Sequence, residues 1–481
     1  MPLPPPVTRA IFPRIENNSA GSNPPMLDFR SRFPTRSVIE EESMQPVGIG
    51  FGRSIGATAR CAGPRGPLRI GSASDGMAAR GDEPGNPLAL PTMGVDPSDP
   101  VGMNDLLPGR ATGAGTRAFA DRQTCAGDHF LRPDELWLSS IALGTLRGRP
   151  GGVDDLLYRS VVDDFLGRSG NVFNTALSDR MQTSERALGH ALRRAIREGV
   201  VTREEIVVVS KGGALTPDPD LAHDPVRAHH DLVTSYIDTR ILDPNDVTRG
   251  HSIAPRFLLD QIARSRRNLG LETLDYYLIQ EPEIHLRALG PDGFRRALSA
   301  AFEAMEAAVS KGWIAAYGLS TWDGFLLPDS DRSHLSIVDL FEVALDVGSA
   351  DHHLRSIQLP YGLAMGEGSV LESQLGPDGH SRAILDSLAD TGTVVFASAP
   401  LYGGRLVGHV PPFVRQAFSE AASDALAALQ FVRSTAGITS AVVGMREAAH
   451  VEENMTLRSI PRADPGIPKR LFERARAGAS A

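Results

Sequence analysis

Eight short apolar runs in this chain end on small or polar residues: Gly144, Asn174, Lys211, Gln280, Ser320, Gln358, Ser398 and Gly444. Lys211 is the one cation in the set, and most of the others carry hydrogen-bonding groups, unlike the residues of a sealed apolar interior. Such a set suits polar small-molecule chemistry, although strand ends that merely meet water are polar as well. Other chemistries have no matching pattern. The sequence holds no Gly-x-Ser-x-Gly elbow, no Walker loop and no Gly-x-Gly-x-x-Gly after its first apolar run, which argues against serine hydrolases, P-loop enzymes and a Rossmann dinucleotide site. His223, Asp224, His229, His230 and Asp231 lie close together, but they offer no helical i, i+4 histidine pair with a third ligand, so surface histidines are expected and no metal.

These residues need elements to position them. The apolar runs lie at 136–143, 171–175, 206–210, 273–279, 314–319, 356–359, 393–397 and 440–443. Between them fall amphipathic stretches at 153–168, 184–198, 254–269, 292–311, 337–345, 381–389 and 423–436. Helix boundaries are marked by Thr183 or Ser184 before Glu185, by Ser252 before Ala254-Pro255, and by Gly170, Gly199, Gly270 and Gly312 at helix ends. Short continuous apolar runs alternating with helices predict buried parallel strands joined by crossovers. Eight such units predict a closed (β/α)8 TIM barrel over 116–481, with its chemistry at the C-terminal ends of the strands.

Residues 1–115 differ. They contain 17 Pro and 16 Gly, more than a quarter of the segment, and read as a disordered N-terminal extension. Its short apolar cluster at 47–51 could recruit a protein partner. The 481-residue chain has 49 Lys+Arg against 58 Asp+Glu, a net charge of −9, which gives no reason to expect nucleic acid. No run is long and apolar enough to span a bilayer, and the N-terminus lacks the apolar core of a secretory signal. Two cysteines, Cys61 and Cys125, neither form a zinc spacing nor a disulfide framework. A cytoplasmic protein without membrane contact is expected.

The segment NVFNTALSDRMQTSERALGHAL at 171–192 resembles the aldo-keto reductase family, whose second strand ends in Asp-Thr-Ala, with a Tyr five residues after that Asp and then Ser-Glu and Leu-Gly. VVVSKGG at 207–213, SRRNLGLETLDYYLIQEPE at 265–283, AAVSKGWIAAYGLSTW at 307–322 and ITSAVVGMREAAHVEENM at 438–455 match in order. The resemblance implies a barrel that binds NADP(H) across its mouth and passes hydride to an aldehyde or ketone, or takes it from an alcohol. It also implies a tetrad of Asp, Tyr, Lys and His. Here those positions hold Asn174, Asp179, Lys211 and Gln280, so only the lysine is kept.

A carbonyl reduced by hydride needs a proton as well. Beside Lys211, Asp179 is expected to be an ionised acceptor in a salt bridge, with no proton to give. Gln280 can polarise a carbonyl but cannot titrate. The proton is left to Lys211, if desolvation brings its pKa toward neutral, or to Glu281, if burial raises its own. Weak or altered activity follows, and the alternative is a catalytically silent, cofactor-binding protein that acts through interactions or redox sensing.

The resemblance also implies the cofactor contacts. Ser320, Thr321 and Gln358 take the places that hold the nicotinamide carboxamide, and Ser398 the place of a stacking aromatic ring. The loop from Ser398 through Leu401, Gly403 and Arg405 matches the pyrophosphate strap. Gly444 and Arg446, at the opening of a short helix, would meet the 2′-phosphate, and Glu453 and Asn454 the adenine. The stretch 212–252 is expected to be an insertion overhanging the barrel mouth, able to act as a lid or partner contact.

Overall fold

In the computed structural model the apolar runs become eight parallel strands: β1 Ile141–Gly144, β2 Val172–Asn174, β3 Val207–Gly212, β4 Leu274–Gln280, β5 Ile314–Ser320, β6 Leu354–Pro360, β7 Val394–Ser398 and β8 Ser440–Gly444. They close in sequence order, β8 pairing with β1, so the expected (β/α)8 barrel is the fold. The structure describes Gly102 and residues 105–219, 224–376, 378–389 and 391–479. These belong to one of the two compact units of the chain, and the other, residues 46–99, lies outside the described residues.

The strands alternate between two cores. Val207 and Val209 point inward with Ala142, Val172, Tyr276, Leu278 and Phe396, while Val208, Phe173, Tyr277 and Ile279 pack outward beneath the helices. A β-strand turns successive side chains to opposite faces, so a run apolar at every position is what a sheet covered on both sides requires. The strands β5 and β6 approach closely at Gly318, where a Cβ would lie 1.9 Å from the Ser356 carbonyl oxygen.

Helices occupy the seven expected stretches, the sixth only in part: α1 Gly152–Gly167, α2 Thr183–Arg197, α3 Pro255–Leu269, α4 Glu283–Ser310, which begins earlier than expected and is broken at Gly290 (φ 67°), α5 Ile337–Gly348, α6 Ile384–Leu388 and α7 Asp424–Ser434. An eighth, α8 Ala448–Asn454, follows β8. Gly270 ends α3 with φ 66°, its N–H bonding the Arg266 and Arg267 carbonyls. Ser336 and Ser423 cap α5 and α7 by accepting the Asp339 and Leu426 N–H groups.

Two elements depart further from expectation. The stretch 381–389 begins as a strand, Ser381–Arg382, paired with Gln374–Leu375, and only its second half is helical. Polar Ser381 and Arg382 are exposed and bury nothing that would hold a first helical turn. The insertion, in turn, contains a helix, Pro225–Asp238, whose Tyr236 packs with Leu215, Leu242 and Phe257 of α3 in a small core of its own. His229, His230 and Asp231 lie on this helix, and His223 lies outside the described residues.

The barrel floor is closed by a hairpin, Phe130–Leu131 with Leu138–Ser139, and by the residues leading into a helix at Gly113–Asp121. Most of the extension expected over 1–115 lies outside the described residues. Its last part is pinned to the floor: the Leu107 N–H bonds the Gly270 carbonyl, and the Ala111 N–H donates 2.7 Å to Asp275 Oδ1. Asp275 also pairs with buried Arg203 at 2.9 Å and accepts the Val208 N–H, so the floor's buried charges are matched.

Candidate active site

Lys211, near the end of β3, is buried with 7% of its surface exposed. Its Nζ donates to Asn174 Oδ1 at 2.7 Å and to the Thr175 carbonyl at 2.5 Å. Asn174 Nδ2 in turn donates 2.9 Å to Gln358 Oε1 across the mouth, so β2, β3 and β6 hold one chain of polar groups. Burial lowers the Lys211 ammonium to about 8, with Asp179 and then Glu185 opposing that fall. Glu185 is itself buried, accepting from Ser210 Oγ at 2.6 Å and Asn268 Nδ2 at 2.8 Å. The site is therefore an enclosed ammonium with a near-neutral pKa, a group able to give a proton.

Asp179 stands beside it on a tight turn. Arg180, Met181 and Gln182 all take positive φ, at 47°, 53° and 71°, a left-handed run that non-glycine residues rarely adopt and that concentrates at functional sites. Arg180 is locked by Asp155 at 2.6 Å and Ser184 at 2.9 Å, which holds the turn. The expectation for Asp179 is corrected here. It makes no ion pair with Lys211, whose donors go to Asn174 and Thr175, and its Oδ2 lies 3.2 Å from Thr145 Oγ1 instead. Burial pushes its carboxyl up, outweighing the lowering by Lys211 and Thr145. Loss of most of its water costs the carboxylate more than a nearby ammonium returns.

Gln280 accepts the Ser178 hydroxyl at 3.0 Å on Oε1, leaving its NH2 to donate toward the mouth. Glu281 follows with φ 41°, its N–H on the Ser320 carbonyl at 2.6 Å, and is only half-buried. The deeply buried carboxyl is Glu283, two residues on. Burial, and then Glu281, raise it to about 7. Behind this turn, His251 Nδ1 lies 2.9 Å from His285 Nε2, both rings buried and both held neutral by desolvation. Glu283, His251 and His285 escaped the sequence reading because nothing in their spacing brings them together. The only signal was that Glu283 and His285 closely follow the strand-end residue Gln280; His251, far from any strand end in the sequence, had none.

The opposite rim, from β5 round to β1, carries the expected cofactor residues. Ser320 and Thr321 are buried, and Thr321 Oγ1 has no hydrogen-bond partner among the described residues. Gln358 gives its oxygen to Asn174. After β7, Ser398 leads into a turn in which Ala399, Tyr402, Gly403 and Gly404 take positive φ, with Leu401 half-buried and Arg405 following. Arg147, missed in the sequence because it follows β1 and no strap motif, lies across this turn. Its Nη2 is 2.3 Å from where a Gly403 Cβ would stand, and its stem lies 3.5 Å from the same point on Gly444.

Two of the expected residues at the end of the rim, Arg446 and Glu453, are otherwise engaged. Arg446 precedes α8 rather than opening it, since the helix begins at Ala448, and its Nη1 pairs with Asp154 Oδ1 at 2.5 Å. Glu447 lies 3.6 Å from its Nε, so two carboxylates already flank this guanidinium. Glu453 accepts the Ser423 hydroxyl at 2.6 Å. Asn454 is buried with Oδ1 unpartnered among the described residues.

The stretch from β1 to the turn after β5 thus carries Asn174, Asp179, Lys211 and Gln280 at the ends of successive strands or on the turns that follow, and it is this stretch that matches a known family. Residues 140–326 match the profile of the Aldo/keto reductase family. The family named by the sequence motifs and the family matched are the same. None of the curated proteins matches the chain. Solved structures similar to it include an aldo/keto reductase from Klebsiella pneumoniae in complex with NADP and acetate, at 18% identity and a TM-score of 0.47, covering 72% of this chain and 95% of that one. An aldo-keto reductase from Bacillus halodurans in its holo form is 16% identical, with a TM-score of 0.45 and coverage of 71% and 94%. Among the described residues no helix is long and apolar enough to cross a membrane, and no group of three or more His, Cys, Asp or Glu is placed to hold a metal.

Proposed function

We propose that this protein is an aldo/keto-reductase-like oxidoreductase that binds NADP(H) along the β5–β1 rim and reduces the carbonyl of a small molecule, or oxidises the corresponding alcohol, with Lys211 as its proton-transferring group. The observation that carries the reading is the enclosed Lys211 ammonium, held by Asn174 and the Thr175 carbonyl with a pKa lowered to about 8. A general acid works best with a pKa near the working pH.

The residues present suit the cofactor. Thr321 Oγ1 and Asn454 Oδ1 are buried polar atoms with no hydrogen-bond partner among the described residues, and an unmade buried bond is costly unless a ligand completes it. Gly404 leaves open backbone next to the Arg147 guanidinium, which lies against Gly403, an arrangement suited to a pyrophosphate. The bound cofactor would supply the hydride. Lys211 holds a proton toward the carbonyl oxygen, Gln280 donates a second hydrogen bond, and Asn174 fixes the ammonium through its own bond to Gln358. The neutral amine left after transfer regains its proton from solvent.

The test begins with titration of the purified protein by NADPH and NADH, followed by cofactor fluorescence, and continues with a panel of aldehydes and ketones. Saturable binding and turnover that disappears in Lys211→Met, with binding kept, is the expected result. Binding without turnover of any carbonyl would favour the silent, cofactor-sensing alternative, and the absence of binding would sink both.

A further inference from the structure

Beside the mouth, between the end of the insertion, the turn after β4 and the loop after β5, lies a cavity of about 340 Å³. That volume is at the lower end of the range of small-molecule sites, about 300–1,000 Å³. Its lining includes Thr248, Arg249, Glu283, Arg287, Asp323 and Asp331. The charges are sorted by depth. Glu283 is 4% exposed, whereas Arg249, Arg287 and Asp331 stand in solvent at the rim.

Glu283 is only half satisfied. Its Oε1 accepts the Trp322 N–H at 2.7 Å, and its Oε2 is buried with no hydrogen-bond partner among the described residues. The two rim guanidinia form no ion pair among the described residues either, although carboxylates line the same cavity. A buried carboxyl oxygen without a donor, under a rim of unpaired guanidinia, is complementary to a ligand that carries a cation at one end and an anion at the other. We propose that this cavity binds a small zwitterion of the α-amino acid class, its ammonium on Glu283 and its carboxylate between Arg249 and Arg287.

The groups that face Glu283 are Glu281 and Asp323, which raise its pKa, with His285 neutral on the same helix and Asp331, Arg249 and Arg287 at the rim. Burial and these acids bring Glu283 to about 7, so it is largely neutral at pH 6 and largely ionised at pH 8. An ammonium ligand should therefore bind about tenfold more tightly at pH 8 than at pH 6.

The test is calorimetric titration of the full chain with L-alanine and L-serine, and with propylamine and propionate as the separate halves, at both pH values and without cofactor. Amino acids should bind saturably and more tightly at pH 8. Glu283→Gln should weaken both amino acids and propylamine by at least about tenfold and flatten the pH dependence, since one charge–charge contact is lost. The surface double variant Arg249→Ala/Arg287→Ala should weaken the amino acids and leave propylamine unchanged, and it remains informative if Glu283→Gln fails to fold. No binding of either amino acid at tens of millimolar, or binding indifferent to both variants, overturns the proposal. The oxidoreductase reading is untouched by that result, because no cofactor or turnover enters the measurement.

Discussion

Replacing Asp179 by Asn should lower the pKa of Lys211. The fall of Lys211 from 10.5 to about 8 corresponds to about 3 kcal/mol of discrimination against its charged form. That is the net of a larger desolvation cost and an opposing contribution from Asp179, with Glu185 behind it. Two unit charges about 5 Å apart at an effective dielectric of about 20 interact by about 3 kcal/mol. Asp179 shares the opposing contribution with Glu185, so its own part is smaller, about 1–2 kcal/mol, or about one unit on Lys211. Asp179→Asn should then bring Lys211 to about 7, and Glu185→Gln should act in the same direction more weakly. Lys211, Lys311 and Lys469 are the three lysines of the chain, so ¹³Cε-lysine NMR gives three signals, and the one lost in Lys211→Arg should titrate well below the ordinary lysine range. If Lys211 gives the proton, the alkaline limb of carbonyl reduction moves down with it. A Lys211 midpoint that stays at about 8 or rises in Asp179→Asn would refute the assigned balance, since Asp179 would then carry no charge near neutral pH.

Asn174→Asp places a carboxylate where Lys211 Nζ now finds an amide oxygen at 2.7 Å, so the Lys211 pKa and the alkaline limb should rise; combined with Asp179→Tyr and Gln280→His, aldehyde reduction measured by NADPH consumption should increase. Asp154→Asn removes the partner of Arg446 and should tighten NADPH about twofold to fivefold in a fluorescence titration, from about 0.5–1 kcal/mol for a partly exposed pair, with NADH unchanged. Gly318→Ala drives a methyl into the Ser356 carbonyl 1.9 Å away and should cost about 3 kcal/mol or more, read as a lower melting temperature or insoluble protein. The His251 and His285 rings have folded pKa values of about 3 and about 4 against 6.5, so below pH 6.5 the unfolded chain takes up protons that the buried pair refuses. Urea melts should show their contribution to stability falling from about pH 6.5 toward about pH 4, and His285→Leu should flatten that slope.

The sequence by itself determined the barrel. Runs such as Val207-Val208-Val209 are apolar at every position because they face a core on both sides, and that pattern survives without knowledge of any partner strand. It also placed the strand ends to within one or two residues, because a strand end is a local feature: Asn174 and Gln280 close β2 and β4, while β3 runs one residue past Lys211 to Gly212 and β6 two past Gln358 to Pro360. What the tertiary structure decided is how those groups are charged and paired. Asp179 looked like a salt-bridge partner because chemistry was judged by residue type, yet its pKa is set by how much water is lost, a property of everything packed round it. The same holds for Glu283 against Glu281, where two positions along the chain separate a buried carboxyl from a half-exposed one. Arg147 and Gly403 come from opposite ends of the sequence, as do Arg446 and Asp154, and they meet only because β8 closes on β1. Local pattern fixes the frame of this protein; desolvation and long-range pairing, which no window of sequence contains, fix the state of the groups it holds.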